Sequence, residues 1–263
     1  MTATLRAVSP IPSKAGHILL ELRGVGKVFH MGGSFQTVLD GIRFQVEKGE
    51  MICILGRSGC GKSTLLKMLA GFLPPSSGDI LLNGTPVSKP GPDRCVVFQE
   101  DTLFPWLTVK ENIAFGLKGL NRDKKETRRE VARYLSLVGL REFEDYLPEE
   151  ISGGMKQRVA LARVLILKPQ VLLMDEPFAS LDAQTREDMQ ELLLTLWRTL
   201  SHTILFVTHD VGEAIMLADR IMMMSRNPGF IREEIPVDLP RPRRRESREF
   251  LLLSRKLYEV LKQ

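Results

Sequence analysis

The sequence predicts an α/β fold with a mixed or parallel sheet, an antiparallel β subdomain and a helical subdomain. Short apolar runs such as 171–174 and 203–207 are typical of buried strands, and segments with helical periodicity follow them. Strands that alternate with helices indicate a parallel sheet with crossover helices. Between His17 and Val46 apolar and polar residues roughly alternate, with a turn at 31–34, which indicates antiparallel strands.

The other elements are expected in order along the chain. A buried strand over 51–55 leads into a glycine-rich loop and a helix that begins at Gly61. Thr108 and Glu111 have the spacing of a capping box at the start of a helix that reaches Leu117. Further strands are expected at 94–98, 170–174, 203–207 and 219–224, and further helices at 124–138, 153–167, 183–199 and 210–218.

The chain ends in a connector and a helix. Residues 232–240 are rich in proline and predict the connector, and the helix that follows carries Phe250, Leu253, Leu257 and Leu261 near one face. We therefore expect an N-terminal tail at 1–16, a main domain at 17–240 with a helical subdomain at about 100–165, and a basic segment with a C-terminal helix at 241–263.

Composition limits the class of protein. The 263 residues are 43% hydrophobic and 26% charged, which is ordinary for a soluble globular protein. The apolar runs are far shorter than the roughly 18 residues of a membrane span, and residues 1–13 lack a secretory pattern, so we expect a cytoplasmic chain. Cys53, Cys60 and Cys95 fit no zinc-binding spacing, which agrees with a reducing compartment.

The net charge of +5 raises the alternative of a nucleic-acid-binding module. Much of the excess positive charge lies in Arg241–Arg245, which we interpret as a solvated basic turn. Aromatic residues are not interleaved with these arginines, as they are in proteins that bind single-stranded nucleic acid. We therefore expect no nucleic-acid partner.

The segment 56–63 matches the pattern G-x-x-x-x-G-K-[ST]. Its glycines let backbone N–H groups converge on an anion, and the helix that follows adds its positive N-terminal end. Lys62 supplies a charge for the β- and γ-phosphates, and the Ser63 hydroxyl can bind Mg²⁺. This is a P-loop nucleotide-binding core, and the residues expected at the nucleotide are Gly56, Arg57, Ser58, Gly59, Cys60, Gly61, Lys62, Ser63 and Thr64.

Two carboxylates, Asp175 and Glu176, follow the apolar strand that begins at Val171. Open α/β sheets bind ligands at the carboxyl ends of their strands, so both side chains are expected at the site. Asp175 would help to hold Mg²⁺, and Glu176 could act as general base for the attacking water. The alternative is an acidic strand end that caps a neighbouring helix.

A second anion site is predicted at Ser152-Gly153-Gly154, a turn of small residues at the start of a helix. One nucleotide-binding domain with two anion sites needs an explanation. A dimer in which each chain completes the site of its twin supplies one, with two ATP molecules between the subunits.

In order and spacing, these motifs resemble those of the ATP-binding cassette family over roughly residues 18–240. The resemblance implies that the signature turn of one subunit closes over the γ-phosphate bound by the other. It also implies a dimer loop at Ser180, Leu181 and Asp182. ATP and Mg²⁺ are the cofactors that it implies.

Four further residues take roles from this resemblance. Gln99 would contact Mg²⁺ and the water and link the site to a membrane subunit, and His209 would contact the γ-phosphate. Phe29 would stack on adenine, with Val38 beside it. A strand phenylalanine and a histidine at a strand end are also common as purely structural residues.

The chain departs from the family pattern at three positions. Met155 stands where many relatives have glutamine, Ile151 where leucine is usual, and Ala179 where relatives often have glycine. Met155 removes an amide from the signature helix, whereas Ile151 conserves side-chain volume. In the P-loop, Cys60 lies near a helix N-terminus, which favours the thiolate.

Stretches outside the common motifs resemble importers for nitrate, taurine and alkanesulfonates. They lie at 91–94, 104–108, 181–186 and 236–242. The resemblance implies that permease subunits dock near Gln99–Trp106, at the cytoplasmic face of the inner membrane. A periplasmic or extracellular solute-binding protein would be an indirect partner, through the permease. The ATPase subunits would form a homodimer or a heterodimer of close paralogues. The alternative is an ATPase of this type without a transport role, in nucleic-acid repair or on the ribosome.

Overall fold

A computed structural model describes residues 17–98, 103–119 and 123–262 of the chain. Nearly every predicted element is found within one or two residues of its expected bounds. The strands are β1 (Ile18–Met31), β2 (Ser34–Glu47), β3 (Met51–Leu55), β4 (Ser77–Leu82), β5 (Thr85–Pro86), β6 (Arg94–Val97), β7 (Val171–Asp175), β8 (Thr203–Thr208), β9 (Arg220–Met224) and β10 (Ile231–Pro236). The α-helices are α1 (Lys62–Leu69), α2 (Val109–Phe115), α3 (Lys124–Leu137), α4 (Gly153–Leu165), α5 (Ala183–Leu200), α6 (Val211–Leu217) and α7 (Arg248–Lys262).

The larger sheet has the strand order β10-β9-β3-β8-β7-β6. Its neighbours from β9 to β6 are parallel, and β10 is antiparallel to β9, so the predicted mixed sheet is confirmed. Every residue of β3 and β8 is buried, as expected for parallel strands covered on both faces. The carboxyl ends of β3, β7 and β8 therefore meet at one edge, where the loops that follow them carry the predicted site residues.

The smaller sheet is antiparallel, with the order β2-β1-β4-β5. Gly32 and Gly33 have positive φ between β1 and β2, so the hairpin turn predicted at 31–34 is confirmed. Leu22 and Ile42 of this sheet belong to the same buried cluster as Leu65 of α1. Burial of this face holds the antiparallel subdomain against the helix that follows the P-loop.

The helical subdomain contains α2, α3 and α4. Thr108 Oγ1 accepts a hydrogen bond from the Glu111 N–H, and Glu111 Oε2 accepts one from the Thr108 N–H at 2.9 Å, which confirms the capping box. The buried Tyr134 hydroxyl donates to the Leu165 carbonyl at 2.9 Å and joins α3 to α4. Ser152 caps α4 through the Met155 N–H at 3.3 Å.

Two expectations for the C-terminal part are wrong. The predicted connector at 232–240 contains strand β10, in which Ile235 is buried against the core. Pro236 is tolerated because it ends a strand at the edge of the sheet. The predicted solvated turn at Arg241–Arg245 is also wrong, since Arg243 is only 9% exposed.

Arg243 is buried because it binds backbone carbonyls. Its guanidinium donates to the carbonyls of Ile215 at 2.5 Å and Ala218 at 2.6 Å, and to those of Val237 and Leu239. The last carbonyls of a helix have no partner within the helix, so a cation at the end of α6 is favourable. Burial and the neighbouring Arg241 lower the pKa of Arg243 to about 9, which leaves it charged at neutral pH.

The predicted amphipathic C-terminal helix is confirmed as α7. Phe250 and Leu257 are buried, and Leu253 and Leu261 pack against the main core. Leu251, on another face, is half exposed. Among the helices described, none is both long enough and apolar enough to cross a bilayer.

We predict that Asn112→Ala destabilises the fold. The Asn112 side chain is fully buried, and its amide accepts from the Phe104 N–H at 2.9 Å and donates to the Leu107 carbonyl at 2.8 Å. Removal of the amide leaves these backbone groups unpaired, which should lower the free energy of unfolding by roughly 1–3 kcal/mol in urea titrations. Arg128→Ala, at an exposed site on α3, is the control. Equal stability of the two variants would contradict the prediction.

Candidate functional site

The P-loop joins β3 to α1 and is shaped by glycines. Gly59 and Gly61 have φ of +80° and +100°, values that side chains rarely allow. Gly61 is the N-cap of α1, and none of the described side chains caps it. The first N–H groups of a helix have no partner within it. They are therefore available to an anion, and the residues present fit a nucleotide phosphate.

The side chain of Lys62 is buried inside the P-loop. Its side chain is only 4% exposed, and Nζ donates to the carbonyls of Gly56 at 2.9 Å and Arg57 at 3.2 Å. Nζ also lies 3.5 Å from Glu176 Oε1. The ammonium group is thus fixed at the centre of the anion-binding loop and faces the carboxylate that follows β7.

Ser63 and Asp175 bring two oxygen donors together. Ser63 Oγ donates to Asp175 Oδ1 at 3.0 Å, between the start of α1 and the end of β7. Burial raises the pKa of Asp175, and the hydrogen bond from Ser63 opposes that shift. Among the described residues, no group of three or more His, Cys, Asp or Glu side chains is arranged to hold a metal ion by itself. One carboxylate and one hydroxyl fit Mg²⁺, which commonly takes its other ligands from phosphates and water.

Glu176 has a strained backbone and two charged or polar partners. Its φ is +44°, uncommon for a residue with a side chain. The backbone N–H donates to the Val207 carbonyl at 3.1 Å, which ties Glu176 to β8. Glu176 Oε2 lies 2.9 Å from His209 Nδ1, and the histidine side chain is 58% exposed. The structure therefore brings Lys62, Glu176 and His209 together at the strand ends.

A buried carboxylate supports the backbone next to His209. The Thr208 hydroxyl donates to Glu213 Oε2 at 2.7 Å, and burial raises the pKa of Glu213. Arg186 Nε lies 3.9 Å from Glu213 Oε1, and Arg186 Nη2 donates to the Leu181 carbonyl at 2.8 Å. Glu213 and Arg186 thus join His209 to the predicted dimer loop. In the sequence, Asp210 and Glu213 have the spacing of a helix cap, and Arg186 ends the stretch 181–186, but neither pattern identifies them as site residues.

The signature turn lies at the start of α4. A Cβ added at Gly154 would lie 2.6 Å from Thr185 Cγ2, so a side chain there would displace the Thr185 side chain of α5. Gln157, one turn further, donates to the hydroxyl of Ser180 at 3.3 Å. These contacts connect the signature helix to the predicted dimer loop of the same chain. The action of Ser152, Gly153 and Gly154 on a second subunit stays a prediction.

Phe29 and Val38 lie in the antiparallel subdomain. A Cβ added at Gly61 would lie 3.4 Å from Val38 Cγ1, so Val38 is next to the P-loop. The ammonium of Lys27 lies 5.2 Å from the centre of the half-buried Phe29 ring. The adenine contacts stay a prediction. The predicted site residue Gln99 lies outside the described residues.

The expected thiolate at Cys60 is contradicted. Cys60 is only 1% exposed, and burial raises the pKa of its thiol although Lys62 is near. The favourable effect of a helix N-terminus requires an accessible sulfur, and here desolvation outweighs it. Cys60 packs as a small apolar residue beneath the loop.

An aromatic patch on the helical subdomain consists of the exposed Trp106 and Phe115 and the half-buried Phe104. The Phe104 ring centre lies 4.2 Å from that of Phe115 and 5.7 Å from that of Trp106. Trp106 is 73% exposed. Asn112 holds this loop through its hydrogen bonds to Phe104 and Leu107. Contiguous exposed apolar surface of this kind often marks an interaction site.

Comparisons with known proteins identify relatives of this chain. Residues 39–179 match the family model described as ABC transporter. The bicarbonate transport ATP-binding protein CmpD of Synechococcus elongatus is 47% identical over 248 residues, 92% of this chain and 89% of the relative. The nitrate import ATP-binding protein NrtD of the same organism is 44% identical over 243 residues, 90% of this chain and 89% of the relative.

A solved structure supports the same assignment. The dimeric post-hydrolysis ATP-binding cassette MJ0796, bound to ADP and Pi, superposes with a TM-score of 0.73 at 29% identity. The match covers 84% of this chain and 100% of that chain. The fold, the P-loop geometry and these matches lead to one conclusion: the chain belongs to the ABC transporter family, as an ATP-binding and ATP-hydrolysing subunit.

Proposed function

We propose that two copies of this chain, or one copy and a close paralogue, hold two ATP molecules between them and drive a permease that imports a small oxyanion. The observation that carries the proposed chemistry is the cluster of Lys62, Glu176 and His209 beside the Ser63–Asp175 pair. These groups lie at the carboxyl edge of the parallel sheet. Ligands of open α/β sheets bind at that edge.

The P-loop binds and orients the nucleotide. Backbone N–H groups of 56–64 would contact the phosphates, and Lys62 would neutralise charge on the β- and γ-phosphates. Ser63 and Asp175, joined by a hydrogen bond of 3.0 Å, would hold Mg²⁺ together with Gln99. The ion supplies charge neutralisation at the phosphates. Phe29 and Val38 would contact the adenine.

Glu176 accepts a proton during hydrolysis. A water oxygen forms a bond to the γ-phosphorus, the bond to the bridging oxygen of ADP breaks, and the Glu176 carboxylate takes a proton from the water. His209, 2.9 Å from Glu176, orients that carboxylate and reaches toward the γ-phosphate. The unfavourable φ of Glu176 lies at the point where this contact is made, and backbone strain of this kind clusters at functional sites.

The second half of each site comes from the partner subunit. Ser152, Gly153 and Gly154 begin α4, and their N–H groups and hydroxyl suit a γ-phosphate presented by another chain. The dimer loop Ser180-Leu181-Asp182 would lie between the two subunits. The dimeric state of the cassette MJ0796 supports this arrangement.

The aromatic patch is the surface proposed for the permease. Aromatic side chains are frequent anchors at protein interfaces, and Trp106 offers a ring that is 73% exposed. The patch follows Gln99 in the chain, so docking there would link the membrane subunit to the nucleotide site. The ATPase would then lie at the cytoplasmic face of the inner membrane. A periplasmic or extracellular solute-binding protein would act through the permease.

The cargo is proposed from the relatives alone. CmpD and NrtD are named for bicarbonate and nitrate, and both anions fit the branch that also includes taurine and alkanesulfonate importers. The ATPase contacts nucleotide and permease, and its own chemistry selects no solute. The basic C-terminal segment gives no support to a nucleic-acid role, since Arg241 and Arg243 are engaged within the fold.

The first test concerns the general base. Glu176→Gln keeps the size of the side chain and removes the proton acceptor, so ATP turnover should fall by about 10²- to 10⁴-fold. ATP binding should persist, and the variant should accumulate as an ATP-bound dimer in size-exclusion chromatography. Glu187→Gln, an exposed position on α5, is the matched control. Near wild-type turnover in Glu176→Gln would exclude the proposed base.

The second test concerns the composite sites. A Lys62→Ala subunit mixed with a Ser152→Ala subunit should form heterodimers in which one site is damaged twice and the other is intact. Each homodimer is damaged at both sites. Mixtures should therefore retain labelled ATP in a filter-binding assay better than either homodimer. Equal retention in mixtures and homodimers would refute the shared sites.

The third test concerns the cargo. The chain, reconstituted with its permease and solute-binding protein, should show ATPase stimulation by members of a panel containing nitrate, bicarbonate, taurine and alkanesulfonates. Sugars and amino acids serve as controls. Stimulation by a control sugar or a control amino acid, and by none of the anions, would exclude the proposed cargo class and leave the ATPase assignment intact.

A further inference from the structure

We propose that an arginine cluster, Arg241, Arg243 and Arg245, is a positioning element that holds His209 in contact with Glu176 by fixing helix α6. The inference rests on the proposed role of His209 in hydrolysis. It assigns a positioning role in hydrolysis to a C-terminal segment that does not contact Glu176 or His209 itself.

The cluster first fixes the C-terminal end of α6. Arg243 donates to the carbonyls of Ile215 and Ala218 at 2.5 and 2.6 Å. Arg241 donates to the Leu217 carbonyl and pairs with Asp219 Oδ1 at 2.6 Å. Together the two guanidinium groups bind the carbonyls that end the helix, where positive charge is also favoured by the helix dipole.

The same end of α6 is joined to the core. Asp219, the partner of Arg241, accepts from the Met51 N–H at 2.9 Å through its other oxygen. Met51 begins β3, the strand that leads into the P-loop. The guanidinium of Arg241 also lies 4.6 Å from the centre of the Trp197 ring on α5. Arg241 therefore connects α6 to the central sheet and to α5.

Arg245 acts at the other end of α6, nearest to His209. A Cβ added at Gly212 would lie 2.9 Å from Arg245 Nη1 and 3.1 Å from Asp210 Oδ1, so the guanidinium covers the first turn of the helix. Arg245 Nη2 donates to Gln190 Oε1 at 3.2 Å, and Gln190 is only 3% exposed. Arg245 is therefore hydrogen-bonded to α5 and packs over the first turn of α6, so it links the two helices.

Helix α6 can transmit this constraint because it is short. It has seven residues, which is about two turns. Asp210, the residue after His209, caps it through the Glu213 N–H at 2.8 Å, and Glu213 in turn accepts from the hydroxyl of Thr208. The side chains of the residues on both sides of His209 are thus hydrogen-bonded to α6. A shift of the helix would move the imidazole relative to Glu176.

The kinetic test uses Arg245→Ala in the full chain, with Arg244→Ala as the control because Arg244 is exposed in the same segment. Arg245→Ala should lower kcat by about tenfold and leave the KM for ATP nearly unchanged, since displacement of a reacting group by about 1 Å is costly. Arg245→Lys, which keeps the charge, should recover part of the rate. An equal loss of kcat in Arg244→Ala and Arg245→Ala would overturn the inference.

A double-mutant cycle tests whether the effect passes through His209. In a His209→Ala background, Arg245→Ala should cause no further loss of kcat, because the imidazole to be positioned is gone. The same tenfold loss in both backgrounds would refute the coupling to His209. Normal turnover of His209→Ala would refute the proposed role of His209 itself, which is a separate failure.

A spectroscopic test is independent of turnover. In the ¹⁵N-histidine-labelled chain, Arg245→Ala should shift the ring resonances of His209, which report its contact with Glu176, and Arg244→Ala should not. The resonance is assigned by its loss in His209→Ala. Unchanged His209 resonances in Arg245→Ala would overturn the positioning role, whatever the rates show.

Discussion

The hydrogen-bonding register of the buried strand β8 is the constraint on which the nucleotide site depends. The N–H of Gly56, at the start of the P-loop, donates to the carbonyl of Thr208 at 3.4 Å. The N–H of Glu176 donates to the carbonyl of Val207 at 3.1 Å. One strand end therefore sets the position of the phosphate-binding loop, the proposed general base Glu176 and His209. A register shift in this strand would move all three apart.

The site contains a strained backbone at Glu176, which the surrounding buried strands and side-chain contacts hold in place. The positive φ of Glu176 costs free energy, and it persists because buried strands on both sides determine the backbone. Lys62 and His209 contact the two oxygens of the same carboxylate. Behind them, Glu213 and Arg186 connect His209 to the predicted dimer loop, so the histidine and the surface expected to meet a second subunit share one network.

The fold was predictable from the sequence where local pattern decides it. Buried apolar runs predicted β7 and β8, and the alternation from His17 to Val46 predicted the hairpin of β1 and β2. The spacing of Thr108 and Glu111 predicted the cap of α2. The connector predicted at 232–240 was wrong because β10 is an edge strand. Its pairing with β9 is a tertiary contact that proline content conceals.

By itself, the sequence determined which residues form the candidate site: the P-loop, the two carboxylates after β7 and the histidine after β8 are identified by residue type and spacing. Only the tertiary structure decided which groups the charged side chains of the C-terminal segment contact. Arg241 and Arg243 look like a solvated turn in sequence, and only the fold presents them with the unpaired carbonyls of α6. Likewise Cys60 lies at a helix N-terminus in sequence, but burial raises the pKa of its thiol. Desolvation and hydrogen-bond partners depend on which segments pack together, and composition does not specify that.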